Sequence, residues 1–464
     1  MPVSVARKIA FDVLHRVATQ GAYADDLLRA ELTTTIRRDD AALATELTLG
    51  VLRWQRLLDF LIARHLTKGT KKLDVEVQLA LRLGLYQLVF LERVPARAAI
   101  YESVQLAKRA RKSSAAPLVN AVLRKLATEA ISKRNLPEAC ASLLPKNLPV
   151  AERLGVLYSH PTWVVERWLA TYGEERASAL LAANNRARRL SCWVLAEQQR
   201  EAAKRSLKQS GCAVSPGCLL REAWSLRGGN PSASKAVQQG WVAIQDEASQ
   251  AVAHLLGVQR GNTVLDLCAA PGGKTLLCAR AAGPEGRVLA CDIHQHRLRG
   301  MEERFQRAGI RNVVFLELDA TQPLPFDQRF DRILVDVPCS GTGTLSRHPE
   351  IRWRLRAEDL EDLHARQVRL LRNALPHLAA GGRLVYSTCS LEPEENEAVV
   401  KEALESQANE FRVVAPKDEL QRLLVSRVSL QSLFSPEGYF RTFPPDHEID
   451  GFFAAAIDRS NPPK

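Results

Sequence analysis

Two cysteines stand at positions suited to covalent chemistry. In DVPCSG (336–341), Cys339 lies just beyond an apolar run and three residues after Asp336. In YSTCS (386–390), Cys389 follows a second apolar run and repeats the arrangement. A thiolate is a strong nucleophile, but a free thiol with a pKa of ~8.5 is ionised only in a minority near neutrality. Such a residue therefore needs a local environment that favours the anion. Cys192, Cys212, Cys278 and Cys291 carry no comparable setting and read as small buried hydrophobes.

A third feature lies upstream. VLDLCAAPGGKT (264–275) reads as strand, glycine turn and helix. Gly272 and Gly273 allow the backbone to approach a ligand closely, and the helix start offers unpaired N–H groups. The pattern is neither GxGxxG nor a GxxxxGK[ST] phosphate loop, so neither a dinucleotide nor a nucleoside triphosphate is implied. Asp292 follows at the ~20-residue spacing where a carboxylate meets ribose hydroxyls. Asp319, placed at the end of the next strand, could accept from an adenine amine. A turn with two strand-end acids fits an adenosine-containing ligand; the alternative is a tight turn flanked by two capping acids.

The elements that must position these residues divide the 464-residue chain, which has the length of roughly three domains. Residues 1–135 read as an all-helical bundle. Apolar residues recur at helical spacing in ELTLGVLRWQRLLDFLIARHL (46–66), and Val77, Leu81, Leu85 and Leu88 form one stripe further on. Residues 136–240 read as a linker with Pro137, Pro145 and Pro149, followed by a small α/β module. Within it, Ser159 is placed near an N-cap and Pro161 in the first turn of a helix. From 241 to 464, apolar runs at WVAIQ, TVLDLC, RVLACD, VVFLELD, RILVDV and GRLVYSTC alternate with helical segments. That alternation predicts a doubly wound parallel sheet, whose ligands bind beyond the carboxyl ends of the strands.

Composition narrows the partners. The net charge of +12 is uneven: residues 1–135 carry 23 Lys and Arg against 13 Asp and Glu, residues 136–240 carry 14 against 8, and residues 241–464 carry 27 against 31. A polyanion held by the first half and processed by the second would account for this, as would solvated basic helix faces. No apolar run approaches the ~18 residues of a membrane span. The nine cysteines include no CxxC pair, which argues against a disulfide framework and a metal site and for a reducing cytoplasm.

An electrophile suited to a thiolate beside an acid and an adenosine-type methyl donor is cytosine. Its carbon-5 becomes nucleophilic once sulfur has added at carbon-6, assisted by protonation or hydrogen bonding at nitrogen-3 from Asp336. The carbon-5 proton must then leave and the thioether must break, which gives a reason for a second thiol. DLCAAPGGKT, VDVPCSGTGTLSRHPEIRW, VYSTCSLEPEENE and DGFFAAAI resemble the RNA cytosine-carbon-5 methyltransferases of the NOL1/NOP2/Sun type. The resemblance implies S-adenosyl-L-methionine as cofactor, Cys389 as nucleophile and Cys339 as the residue that assists release. It implies cofactor contacts at Cys268, Ala269, Ala270, Pro271, Gly272, Gly273, Lys274, Asp292, Asp319 and Asp336, and no metal.

ELTLGVLRWQRLLDFLIARHL, LRLGLYQLVFLERVPARAAIYESVQLAKRA and VNAVLRKL are similar to the NusB fold, a helical RNA-binding bundle. LYSHPTWVVERW and GWVAIQDEASQ are similar to the module that precedes the catalytic core. The implied architecture is multidomain: a NusB-like bundle (1–135), a linker and small α/β RNA-recognition module (136–240) and a Rossmann-like α/β methyltransferase core (241–464). With this N-terminal bundle the resemblance is to the bacterial Sun/Fmu group. It implies methylation of small-subunit ribosomal RNA at carbon-5 of cytosine 967 by a cytoplasmic monomer; another RNA, such as tRNA, is the alternative. NNRARRL (184–190) departs from the group, which more often carries a proline after the arginine.

Rival chemistries fit less well. A DNA cytosine methyltransferase would use Cys339 and have no need of Cys389. A zinc deaminase would show a second cysteine three residues after the first, where Thr342 stands. An amine methyltransferase would want an aromatic at 339. A non-catalytic RNA-binding factor is favoured by the basic first half alone. In HPEIRW (348–353), Arg352 and Trp353 could contact a phosphate and stack on a base, or could equally anchor the loop.

Overall fold

A computed structural model of the protein describes residues 3–32, 35–67, 73–129, 136–405, 407 and 409–460. Two compact units are present: Met1–Ala187 with Leu345–Leu355, and Arg188–Thr344 with Arg356–Lys464. Among the described residues, no helix is long and apolar enough to cross a membrane.

The first unit is helical. Val5–Gln20, Ala24–Glu31, Arg38–Ala63, Val75–Phe90, Ala96–Arg109 and Ala116–Thr128 precede Leu136–Ala141, Val150–Leu157 and Thr162–Asn184. The expected single stripe on Val75–Phe90 is replaced by burial on nearly every side, including Leu79, Leu83 and Tyr86, while Leu88 is only half-buried. A helix apolar all round belongs at the centre of a bundle. Its polar members are paired inside: Arg82 donates two bonds of 2.7 Å to Asp59, and Tyr86 donates to Glu46 at 2.5 Å. Ser159 does not cap the last helix, whose N-cap is Pro161; its hydroxyl accepts from the Arg56 N–H at 2.8 Å.

Residues 345–355 also belong to this helical unit, although they directly follow the DVPCSG loop in sequence. Arg352 is 2% exposed. Its guanidinium donates to the carbonyls of Arg53 (3.0 Å), Ser159 (3.1 Å) and Asn184 (2.7 Å) and to Asn185 Oδ1 (2.8 Å). Trp353 Nε1 donates to Leu52 O at 2.7 Å. These contacts decide between the two readings of HPEIRW: Arg352 anchors a loop, and its buried head cannot meet a phosphate.

The second unit holds two sheets. In the smaller, β1 (Leu190–Val194), β2 (Ala213–Pro216), β3 (Ala223–Arg227) and β4 (Val242–Ile244) pair antiparallel in the order β2-β3-β1-β4. The WVAIQ run expected in the main sheet is thus β4 of the small one. The larger sheet contains β5 (Thr263–Asp266), β6 (Arg287–Asp292), β7 (Val313–Glu317), β8 (Phe330–Asp336), β9 (Leu378–Thr388), β10 (Phe411–Val414), β11 (Phe440–Thr442) and β12 (Phe452–Arg459). Its order is β10-β12-β9-β8-β5-β6-β7, with β11 also on β12. β9 through β7 run parallel, as the alternating pattern predicts, but β10, β11 and β12 add antiparallel pairs, so the sheet is mixed. DGFFAAAI supplies the first of these added strands beside β9.

Both faces of the parallel strands are covered. Leu334 and Val385 meet Leu276 and Met301 on one side; Ile333, Val335, Leu384 and Tyr386 meet Val368 and Leu371 on the other. That two-sided burial explains near-continuous apolar runs in place of strict alternation.

Replacing Arg352 by alanine would leave several buried carbonyls without donors. The expected result is a loss of unfolding free energy on the order of 3 kcal/mol. Denaturant titration should show it, with no rescue by Arg352→Lys, whose single ammonium cannot span the same acceptors.

Candidate active site

The parallel strands end on one side of the sheet and carry the predicted chemistry there. β5 sits between β6 and β8, so the turn after it lies where strand order reverses. This turn runs through a cis Ala270–Pro271 bond to Gly272, whose φ of 93° is left-handed, and then enters the helix Gly273–Ala282. A Cβ on Gly272 would also lie 2.9 Å from Met301 Cε, so glycine is required by both conformation and space.

Asp292, the last residue of β6, ties itself to this turn. It accepts from Ala270 N at 3.2 Å and from His294 N at 2.9 Å. Asp319 lies two residues past the end of β7, in the loop and not in the strand. It accepts from Thr321 Oγ1 (2.7 Å) and Thr321 N (3.0 Å), bonds that hold its carboxyl below the usual range. Cys268 is half-buried, and burial together with Asp266, Asp336 and Asp292 pushes its thiol well above the ordinary value.

The two thiols meet. β8 and β9 pair in parallel register through Asp336↔Ser387, which brings the two following loops side by side. Cys339 Sγ and Cys389 Sγ stand 3.3 Å apart, and both residues are half-buried. The hydrogen bond to Cys389, then burial, then the charges of Cys389 and Glu395 push the Cys339 thiol well up. Asp336 accepts from Lys274 Nζ and from Ser387 Oγ, each at 2.7 Å. Lys274 in turn lies 5.0 Å from the ring centre of Phe452 on β12. The structure thus pairs Lys274 with Asp336 and Cys339 with Cys389 at and just beyond the ends of adjacent strands, while Asp292 holds the glycine turn and Asp319 closes on its own loop.

The cysteines read as hydrophobes behave as such. Cys192, Cys212, Cys278 and Cys291 are buried, and burial pushes Cys192 and Cys291 each up to about 12.

Three features escaped the sequence reading. Asp266, the last residue of β5, is buried and accepts from Thr275 Oγ1 at 2.7 Å; burial, and secondarily the charge of Asp336, raises its carboxyl to about 7. Glu395 is buried between the two cysteine loops, hidden in sequence among Glu392, Glu394 and Glu397. Gly343 and Gly451 pack backbone to backbone, with Gly451 N donating to Gly343 O at 2.9 Å. A Cβ on Gly343 would fall 2.1 Å from Gly451 O. DGFF therefore backs the DVPCSG loop, a reason for its glycine that only the fold supplies. A cleft of about 730 Å³ lined by His254, Leu277, Glu419 and Arg422 includes none of these residues. Strand-end chemistry, not cavity size, marks the site.

The fold defines a class: a helical NusB-like domain, a small α/β module, and a C-terminal α/β methyltransferase core with a mixed sheet. Residues 4–128 match the NusB family, residues 160–231 the ferredoxin-like domain of RsmF/B-like methyltransferases, and residues 253–458 the 16S rRNA methyltransferase RsmB/F family. The chain is 32% identical to a probable ribosomal RNA small subunit methyltransferase B of Synechocystis sp., covering 98% of this chain and 99% of that one. It is 33% identical to ribosomal RNA small subunit methyltransferase B of Escherichia coli, covering 87% and 90%. The crystal structure of PH0851 shares the fold at a TM-score of 0.78, with 24% identity over 98% of this chain and 100% of that one. The chain belongs to the RsmB/F family and is an S-adenosylmethionine-dependent RNA methyltransferase.

Asp266 generates a pH test. Its carboxyl titrates near 3.8 in an unfolded chain and about 7 when folded. Folded protein therefore binds the extra proton between those values, and stability falls as pH rises through that window. Asp266→Asn should remove this fall, gaining on wild type by a few kcal/mol, on the order of 4 at most, from pH 4 to pH 7.5. Unfolding midpoints measured across that range would show it; parallel curves for the two proteins would contradict the assignment.

Proposed function

We propose that this protein methylates carbon-5 of cytosine 967 in 16S ribosomal RNA through a covalent adduct between Cys389 and carbon-6. The observation that carries the mechanism is the pair of sulfurs 3.3 Å apart beside the Asp336–Lys274 ion pair. The substrate assignment rests on likeness to relatives named for small-subunit ribosomal RNA.

Cys339 is the thiol whose environment opposes ionisation most clearly, so it keeps its proton and donates to Cys389 Sγ. The TCS motif around Cys389 resembles that of the attacking thiol in the RNA cytosine-carbon-5 methyltransferases, which makes Cys389 the attacking member. Sulfur adds to carbon-6 and its electrons displace density toward carbon-5 and nitrogen-3. Both Asp336 oxygens already accept bonds, so the carboxylate serves the base as an acceptor from its exocyclic amine. The hydrogen bond to nitrogen-3 then falls to Lys274 Nζ, the donor of the Asp336–Lys274 pair. After methyl transfer the carbon-5 proton passes to water, the electrons of that C–H bond restore the carbon-5–carbon-6 double bond, the carbon–sulfur bond breaks and Cys389 departs as thiolate. Cys339 assists this last stage by returning its hydrogen bond to the departing sulfur.

The residues present fit S-adenosylmethionine. Asp292 and Asp319 follow adjacent parallel strands, suiting ribose hydroxyls and an adenine amine, and Cys268 to Lys274 surround the turn with backbone groups free to approach. Bound there, the cofactor supplies an electrophilic methyl group. The basic excess of residues 1–240, +10 and +6 in the two counts above, suits them to hold RNA while residues 241–464 carry the chemistry.

Cys389→Ala is expected to abolish methyl transfer, and a rate near wild type would remove the nucleophile assignment. Cys339→Ala should still attack but release slowly, leaving a protein–RNA species on a denaturing gel. Bisulfite sequencing of RNA from a strain lacking the protein should show one unprotected cytosine, at position 967 of 16S rRNA; loss of a mark in tRNA would redirect the substrate.

A further inference from the structure

The β8–β9 ladder aligns the strands only as far as Asp336↔Ser387, followed by one bond from Val337 N to Ser387 O at 3.0 Å. Both thiols lie beyond that point, in loops. Glu395, 0% exposed, stands between those loops. Its Oε1 accepts from Ser340 N at 2.8 Å and Gln367 Nε2 at 2.9 Å. Its Oε2 accepts from the hydroxyls of Ser340 and Ser390. Ser340 and Ser390 are the residues immediately after Cys339 and Cys389. Gln367 also donates to Pro338 O at 2.9 Å, immediately before Cys339, and Tyr386 OH donates to Glu395 O at 2.6 Å.

We infer that Glu395 is a positioning residue for the two-thiol reaction: its carboxylate clamps the Cys339 loop to the Cys389 loop and so sets the separation of the sulfurs. The inference rests on the covalent reading above for its catalytic meaning, but the clamp itself is a matter of geometry. Only a carboxylate can receive all four donors. An amide at this position would turn an NH2 group toward either the serine hydroxyls or the Ser340 and Gln367 N–H groups. Alanine would remove the acceptor that the two loops share.

The separation of the sulfurs can be read without any methyl transfer. Diamide, a diazene oxidant, takes two hydrogens from a pair of adjacent thiols, forming one S–S bond and the corresponding hydrazine. Full-length protein would be treated with diamide and the Cys339–Cys389 bridged peptide followed by mass spectrometry. Wild type should bridge rapidly. Glu395→Gln should bridge at least about tenfold more slowly, because the loops lose their shared orientation. Ser340→Ala, which removes one hydroxyl donor and keeps the carboxylate, should slow bridging by a smaller factor. In the same proteins kcat should fall, ~100-fold for Glu395→Gln, with KM for RNA and for S-adenosylmethionine within about twofold of wild type, a split that general unfolding would not give.

Bridging at the wild-type rate in both variants would overturn the clamp. So would a rise in both KM values matching the fall in kcat. The covalent reading fails separately, if Cys389→Ala still methylates; the bridging rates would then still decide the role of Glu395.

Discussion

Parallel pairing of β8 with β9 is the constraint on which the site depends. It places Asp336 opposite Ser387 and so brings together two cysteines fifty positions apart in sequence. The pairing is held from both sides by apolar layers, and Cys389 packs at the margin of one of them. The chemistry sits where the ladder stops, because backbone N–H and C=O groups there are released from the sheet and side chains can face a ligand. From that point onward the geometry is kept by side-chain bonds: Glu395 to the two serines, Thr388 Oγ1 to Asn396 Oδ1 at 2.6 Å, and Leu391 N to Thr342 Oγ1 at 2.9 Å.

Charge is distributed in the site by pairing and by burial. Lys274 is buried yet compensated by Asp336 and faced by the Phe452 ring, so its charge is held at a fixed place. Asp266 is buried without a cation of its own, and its carboxyl is raised as a result. Cys268 and Cys339 are raised among carboxylates. Burial, reinforced by neighbouring carboxylates, thus keeps the thiols of Cys192, Cys268, Cys278 and Cys291 neutral.

The antiparallel edge and residues 345–355 solve a different problem. A parallel sheet ending at β9 would expose an unpaired edge beside the site. β12 covers it, and its leading Gly451 and Phe452 reach back to Gly343 and Lys274. Shortly after the DVPCSG loop, Leu345–Leu355 joins the helical unit and anchors there through Arg352. The chain thereby spends a buried guanidinium on holding backbone carbonyls, where its position in the sequence had equally allowed contact with RNA.

The sequence by itself determined the helical first half, the alternation of strands and helices in the second, the strand-end placement of the reactive residues and, by resemblance, the family. These are legible because periodicity, glycine turns and contiguous motifs are local properties of the chain. It did not reveal that WVAIQ belongs to the small sheet, that the main sheet is mixed, or that Arg352 is interior, because each depends on which distant segment lies alongside. Glu395 illustrates the limit best. Four glutamates within six residues look alike in sequence, and only the tertiary structure selects the one that four donors surround. Pairing register and burial made that choice, since a carboxylate's role is set by the groups that reach it and not by its neighbours along the chain.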